Sequence, residues 1–198
     1  DSYAHRHPLG FSLISVPLTL AWDKAGPFYT NAVILWLSAL FFFFLMLEMV
    51  SFPLALCSTL ILAFASPNLF FATSSYPEPT AQLFTVMALL VFVKALSTGQ
   101  ELLYYALAGF TAGLILFVQP SMAIIFVLFA SVLLYEHGRW TFSDWSIYLL
   151  IGGFLIPFIV FLVANKMLSG SYSGHFYSLQ YALGSLIPQG GESTSANV

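Results

Sequence analysis

Hydrophobic positions along this chain form long continuous runs, and short polar breaks separate them. A helix that crosses a bilayer needs about 20 mostly apolar residues, so run length is the first property to read. The run over residues 9–22 is too short to cross and ends at Asp23, Lys24, Gly26 and Pro27. It predicts a re-entrant or interfacial helix with Trp22 at the level of lipid headgroups. Six stronger segments follow: Phe28 to Met49, Phe52 to about Phe71, Thr80 to Ser97, Leu102 to Val118, Ser121 to Tyr135, and Trp145 to about Ala164. Pro67 lies near the far end of the second, and Lys94 in the last turn of the third, where it can snorkel. Pro120 divides the fourth from the fifth and predicts a tight turn there. The fourth contains Gly109-x-x-x-Gly113, a close-packing pattern for membrane helices, and the sixth contains Gly152-Gly153 and Pro157.

Continuous runs, each satisfying its own backbone, select helices over a barrel. The expected fold is all-α: a polytopic transmembrane helical bundle of about six spanning helices plus the short interfacial helix. The whole chain is expected to be one transmembrane domain. Residues 1–27 form an outer loop and the interfacial helix, 28–164 the six spans, and 165–198 an outer-face loop. No internal repeat and no soluble domain stand out.

Composition strengthens this picture. Of 198 residues, 60% are hydrophobic, 18% aromatic and 7% charged, and mean hydropathy is +0.92. Soluble domains carry about 25% charged residues, so the chain is read as a multi-pass integral membrane protein whose surroundings are membrane lipids, in the plasma membrane if its source is prokaryotic. A net charge of −3 with five Lys and Arg excludes a phosphate-tracking surface, and no nucleic-acid partner is expected. The single cysteine, Cys57, excludes an intrachain disulfide and a multi-cysteine metal site. The sequence starts at Asp1 inside a polar stretch, shows no signal peptide and stops in a polar tail. An internal piece of a larger protein is therefore expected. Charge does not orient it, because Lys94 and Arg139 fall on one side and Arg6, Lys24 and Lys166 on the other. Six spans place Glu78, the amino-terminal polar stretch and the tail after Asn165 on one face.

Glu78 is the main candidate for chemistry. It sits in Ser74-Ser75-Tyr76-Pro77-Glu78-Pro79, between two long apolar runs. The prolines stiffen this turn. An acid at a membrane edge is costly unless used or paired, while an ordinary helix-start acid favoured by the helix dipole is the competing reading. His5, Arg6 and His7 can bind phosphate or transfer protons, or simply belong to a solvated loop. His5 and His7 alone cannot complete a metal site. His137, Glu136, Arg139 and Asp144 read as a mixed-charge loop on the opposite face. Tyr172, His175, Tyr177 and Tyr181 either line a sugar or headgroup cleft or form an interfacial aromatic belt. No nucleophile elbow, phosphate-binding glycine loop or zinc motif is present.

The order of short motifs resembles that of polytopic lipid-linked-sugar glycosyltransferases of the GT-C fold, the protein-mannosyltransferase and aminoarabinose-transferase-like enzymes. His7-Pro8-Leu9-Gly10-Phe11 leading into Pro17 is similar to their "Y/H-P-P/L-G-x…P" segment. Ala65-Ser66-Pro67-Asn68-Leu69-Phe70-Phe71, then Tyr76-Pro77-Glu78-Pro79 and a long apolar helix, are similar to the elements that follow it. Ala108-Gly109-Phe110-Thr111-Ala112-Gly113 with Gln119-Pro120-Ser121 resembles "l-x-G-x-x-x-G-l-a…R-P-s", and Asn165 with Ser169-Gly170-Ser171 resembles "y-N…f-G-s-p". The resemblance covers nearly the whole chain through degenerate motifs in a consistent order.

The resemblance implies transfer of a sugar from a polyprenyl-phosphate donor to an acceptor on the non-cytoplasmic face. Glu78 would be a catalytic acid at the family's second acidic position, near donor phosphate, a divalent metal or the acceptor. His5, Arg6, His7, Tyr76 and Asn165 would bind substrate. Two departures stand out. The family's arginine before Pro-Ser is Gln119 here, and its principal acid precedes the His-Pro segment, so the main acid is expected upstream of residue 1. Two other classes stay open: a transporter or flippase segment, which inverted symmetry and buried charges would favour, and a non-catalytic lipid-binding membrane scaffold.

Overall fold

The computed structural model describes residues 9–64, 67–73, 76–98, 102–137 and 145–169. All regular structure among the described residues is helical. The helices are α1 (Leu9–Trp22), α2 (Gly26–Leu47), α3 (Phe52–Phe64), α4 (Asn68–Ala72), α5 (Glu78–Thr98), α6 (Leu102–Leu114), α7 (Ile124–His137) and α8 (Trp145–Ser169). Short 3-10 turns occupy Asp23–Ala25, Ile115–Phe117 and Pro120–Ala123. The chain divides into two compact units, residues 1–161 and 162–198. Of the second unit, only the last turns of α8 are described. They carry the helix to Ser169, so Asn165 is helical and does not start the loop expected from residue 165.

Three stretches are long and apolar enough to cross a membrane: Gly10–Leu47, Glu78–Ser97 and Trp145–Met167. The apolar pattern predicts six spans. The other three appear as shorter apolar helices, Phe52–Phe64, Leu102–Phe117 and Pro120–Glu136. An apolar run counts residues without registering where the helix inside it stops. In the second run, the Asn68 side-chain amide donates to the Leu62 carbonyl at 3.0 Å, a last-turn acceptor of α3, and the chain restarts as α4. After α6, Gln119 adopts an extended conformation (φ −151°, ψ 89°) ahead of Pro120, as expected for a residue preceding proline.

Helix α1 has the bounds that the pattern predicts, and it packs against α2. Asp23 makes the elbow between them with φ 50°, the left-handed region that Asp tolerates better than most residues. At Gly26 a Cβ would collide with the Thr19 backbone, which explains glycine at this close approach.

Contacts give the helix directions within the first unit. Asn31 of α2 meets the chain at Tyr76, Leu45 packs near Val86 and Leu90, and Glu48 pairs with Lys94 at 3.4 Å. Helices α2 and α5 therefore run parallel. Helix α3 returns antiparallel, with Phe43 against Phe52 and Trp36 against Phe64. Helices α6 and α8 touch through backbone. A Cβ on Gly109 would overlap the Leu150 carbonyl, one on Gly153 the Ala106 carbonyl, and one on Gly113 would come within 2.8 Å of the Pro157 ring. The expected Gly109-x-x-x-Gly113 contact is thus real, and α8 is its partner. The main core gathers Ala88, Phe92, Ala108, Ala112, Phe129, Leu133 and Leu150 from α5, α6, α7 and α8. Phe92 and Phe129 stack at its centre, with ring centroids 4.2 Å apart and planes 7° apart.

Candidate functional site

The connector between α4 and α5 is where polar groups gather at the shared starting end of α2 and α5. Pro77 supplies the carbonyl that opens α5, accepting from the backbone amides of Thr80 and Ala81 at 3.1 Å each. Pro79 falls in the first turn, where its missing N–H leaves no hydrogen bond unmade. Glu78 is the first residue of α5 and is acidic at the positive end of the helix dipole.

A buried side chain on a different helix fixes this corner. Asn31, fully buried in α2, donates its amide to the Tyr76 carbonyl at 2.8 Å and, at 3.4 Å, to the Phe71 carbonyl. The Phe71 and Tyr76 rings meet edge-on, with centroids 6.3 Å apart. The connector is therefore tied to α2 at both ends, and the start of α5 is set by α2 as well as by the two prolines.

Glu78 itself is partly buried. Its Oε2 has no contact with solvent and no hydrogen-bond partner among the described residues. The cation on α5, Lys94, pairs instead with Glu48 at the far end of the two helices. Buried carboxylate oxygens are normally hydrogen-bonded, so an orphaned one is a place where a ligand hydroxyl or a transferred proton fits.

The expected site residues divide into three groups. Glu78 and Tyr76 come together, although Tyr76 contributes its backbone to the corner and leaves its ring half-exposed. Asn165 is buried, in the second unit. His5, Arg6 and His7 lie outside the described residues, as do Arg139, Asp144, Tyr172, His175, Tyr177 and Tyr181. The pattern did not reveal that Asn31 holds this corner, although a lone amide inside the apolar run from Phe28 was a usable signal.

Among the described residues no three His, Cys, Asp or Glu side chains come together to hold a metal ion. Glu78 alone does not fit a divalent cation, which needs several oxygen ligands. Two cavities elsewhere are apolar. One of about 400 Å³ lies between α6 and α8, lined by residues including Phe110 and Gly152. One of about 110 Å³ lies among α2, α3 and α4, beside Trp36 and Phe64. Both suit alkyl chains and carry no reactive group. No protein family, curated protein or solved structure matches this chain.

Proposed function

We propose that this chain is the membrane-embedded part of a glycosyltransferase that takes a sugar from a polyprenyl-phosphate donor, with Glu78 at its reacting centre. The carrying observation is the buried, unpartnered Oε2 of Glu78 on a corner held by Asn31, Pro77 and Pro79. The order of GT-C-like motifs in the sequence supports the same reading.

In this reading the chain crosses the bilayer six times. The parallel run of α2 and α5 with α3 antiparallel to α2 supports that count, with the short helices completed by α4 and by the 3-10 turns. Glu78 then lies at one membrane face. Its carboxylate accepts the proton of the acceptor hydroxyl as that oxygen bonds to the sugar's anomeric carbon. The bond from that carbon to the phosphate oxygen breaks, and polyprenyl phosphate leaves with the electron pair. His5, Arg6 and His7 supply positive charge to that phosphate.

The test is Glu78→Gln in the full-length protein with a polyprenyl-phosphate sugar donor. Gln keeps the size and removes the charge. The expected loss in turnover is about 10²–10⁴-fold, the scale for an acid–base residue, with membrane insertion unchanged. Wild-type turnover would end the catalytic assignment.

A further inference from the structure

We infer that Glu78, Gln82 and Thr85 form one binding track along α5 for a hydroxyl-rich ligand head, a sugar or other polyol. The identity of that polyol as the transferred group rests on the proposed function; the track itself rests on the helix.

Spacings of four and seven residues place the three side chains on one face of α5. The flanking faces are accounted for. Val86 and Leu90 pack toward α2 through Leu45, while Ala88, Phe92 and Ala95 pack toward α6 and α7. Leu89, next on the polar line, touches both groups. The track therefore follows the seam between the two packed faces, and it extends about 10 Å along the helix.

Several hydroxyls elsewhere in these helices satisfy themselves locally, although Thr19 and Thr80 also leave a buried oxygen without a partner. Thr30, Ser38, Thr59, Thr111 and Ser131 each donate to the carbonyl four residues back, at 2.8–2.9 Å. Thr85 does not. Its Oγ1 is buried without a partner, like the Oε2 of Glu78 above it, and Gln82 between them is partly exposed. Two orphaned oxygens on one helix line, in an otherwise apolar seam, are costly unless something else meets them.

The donor set names that partner. An ionised carboxylate only accepts hydrogen bonds, whereas an amide and a hydroxyl both donate and accept. A ligand that gives a hydrogen bond at one end and exchanges them further along carries several hydroxyls. A metal ion needs converging oxygens, and these are spread in a line.

The test uses the full-length protein in lipid nanodiscs, with octyl glucoside below its micellar concentration and octyl tetra(ethylene glycol) as the matched tail. The glucoside is expected to raise the thermal midpoint and the ether is not. Thr85→Val should raise the unliganded midpoint, because it removes a buried orphan hydroxyl, and weaken glucoside binding about fivefold, the scale of one hydrogen bond. Thr85→Ser should retain binding, and Gln82→Leu should weaken it. Thr80→Val is the control. Its hydroxyl is also buried without a partner, but two residues' rotation from Glu78 puts it on the other side of α5, so the midpoint should rise with binding unchanged.

Equal binding of both probes, unaltered glucoside binding in Thr85→Val and Gln82→Leu, or a lower unliganded midpoint in Thr85→Val would each overturn the track. Turnover separates the two ideas. Glucoside binding that depends on Thr85 and Gln82, without sugar transfer, removes the enzyme reading and leaves the track. Transfer that ignores both residues removes the track and leaves the enzyme.

Discussion

Asn31 shows how one amide organises a site 45 residues further along the chain. With Leu in its place, the Tyr76 carbonyl loses a buried donor, at a cost of about 1–3 kcal/mol. Asn31→Leu should lower the thermal midpoint and quicken backbone hydrogen exchange over residues 76–81, while α6 keeps its protection. Unchanged exchange in that window would show that the prolines alone hold the corner. Glu78 was legible in the sequence because a charge between apolar runs stands out. Asn31 was not, because a single polar letter in such a run does not say which backbone it will face. The alignment of Gln82 and Thr85 with Glu78 was readable as a four- and seven-residue spacing, but most of the helix around it is apolar. Whether their oxygens find partners depends on side-chain torsions, which spacing does not encode.

At the level of elements, the contact between α6 and α8 separates two adjacent glycines. A Cβ on Gly153 would overlap the Ala106 carbonyl, whereas one on Gly152 meets nothing within 4 Å. Backbone cannot yield as a flexible side chain does, so Gly153→Val should force the helices apart and cost about 1–3 kcal/mol or more. Gly152→Ala should leave the midpoint level or raise it, since alanine favours helix over glycine by up to about 1 kcal/mol. Equal effects at the two positions would mean that α6 and α8 do not approach this closely. The sequence revealed the Gly109-x-x-x-Gly113 stripe but not its partner. A stripe of small residues states that something comes near, and only the packed fold states what.

For the whole molecule, helical class, the bounds of α1 and, to within a few residues, those of α2, α5, α6 and α7 followed from apolar run length, whereas the ends of α3 and α8 did not. Capping by Asn68 cuts a run that composition leaves whole, whereas the break at Pro120 falls where the sequence predicts it. Labelling of single cysteines tests the six-crossing reading. Cys57 is exposed and must first be replaced. Lys24→Cys and Thr73→Cys should then react from one side of the membrane and Met49→Cys from the other. Reaction of Met49→Cys and Thr73→Cys from the same side would remove α3 with α4 as a crossing.

The elbow at Asp23 acts as a ruler. Drawn straight, the 38 residues of Gly10–Leu47 would make a rod of about 57 Å at 1.5 Å per residue. That is nearly twice the roughly 30 Å hydrocarbon thickness of a bilayer. Helix α2 alone, at 22 residues, measures about 33 Å, a close match to that thickness. One aspartate backbone, turned to φ 50°, thus divides a length that would overshoot into one that fits and a separate arm. The charged pair Asp23 and Lys24 marks in the sequence where the measuring starts, and the dihedral angle at Asp23 turns the chain there.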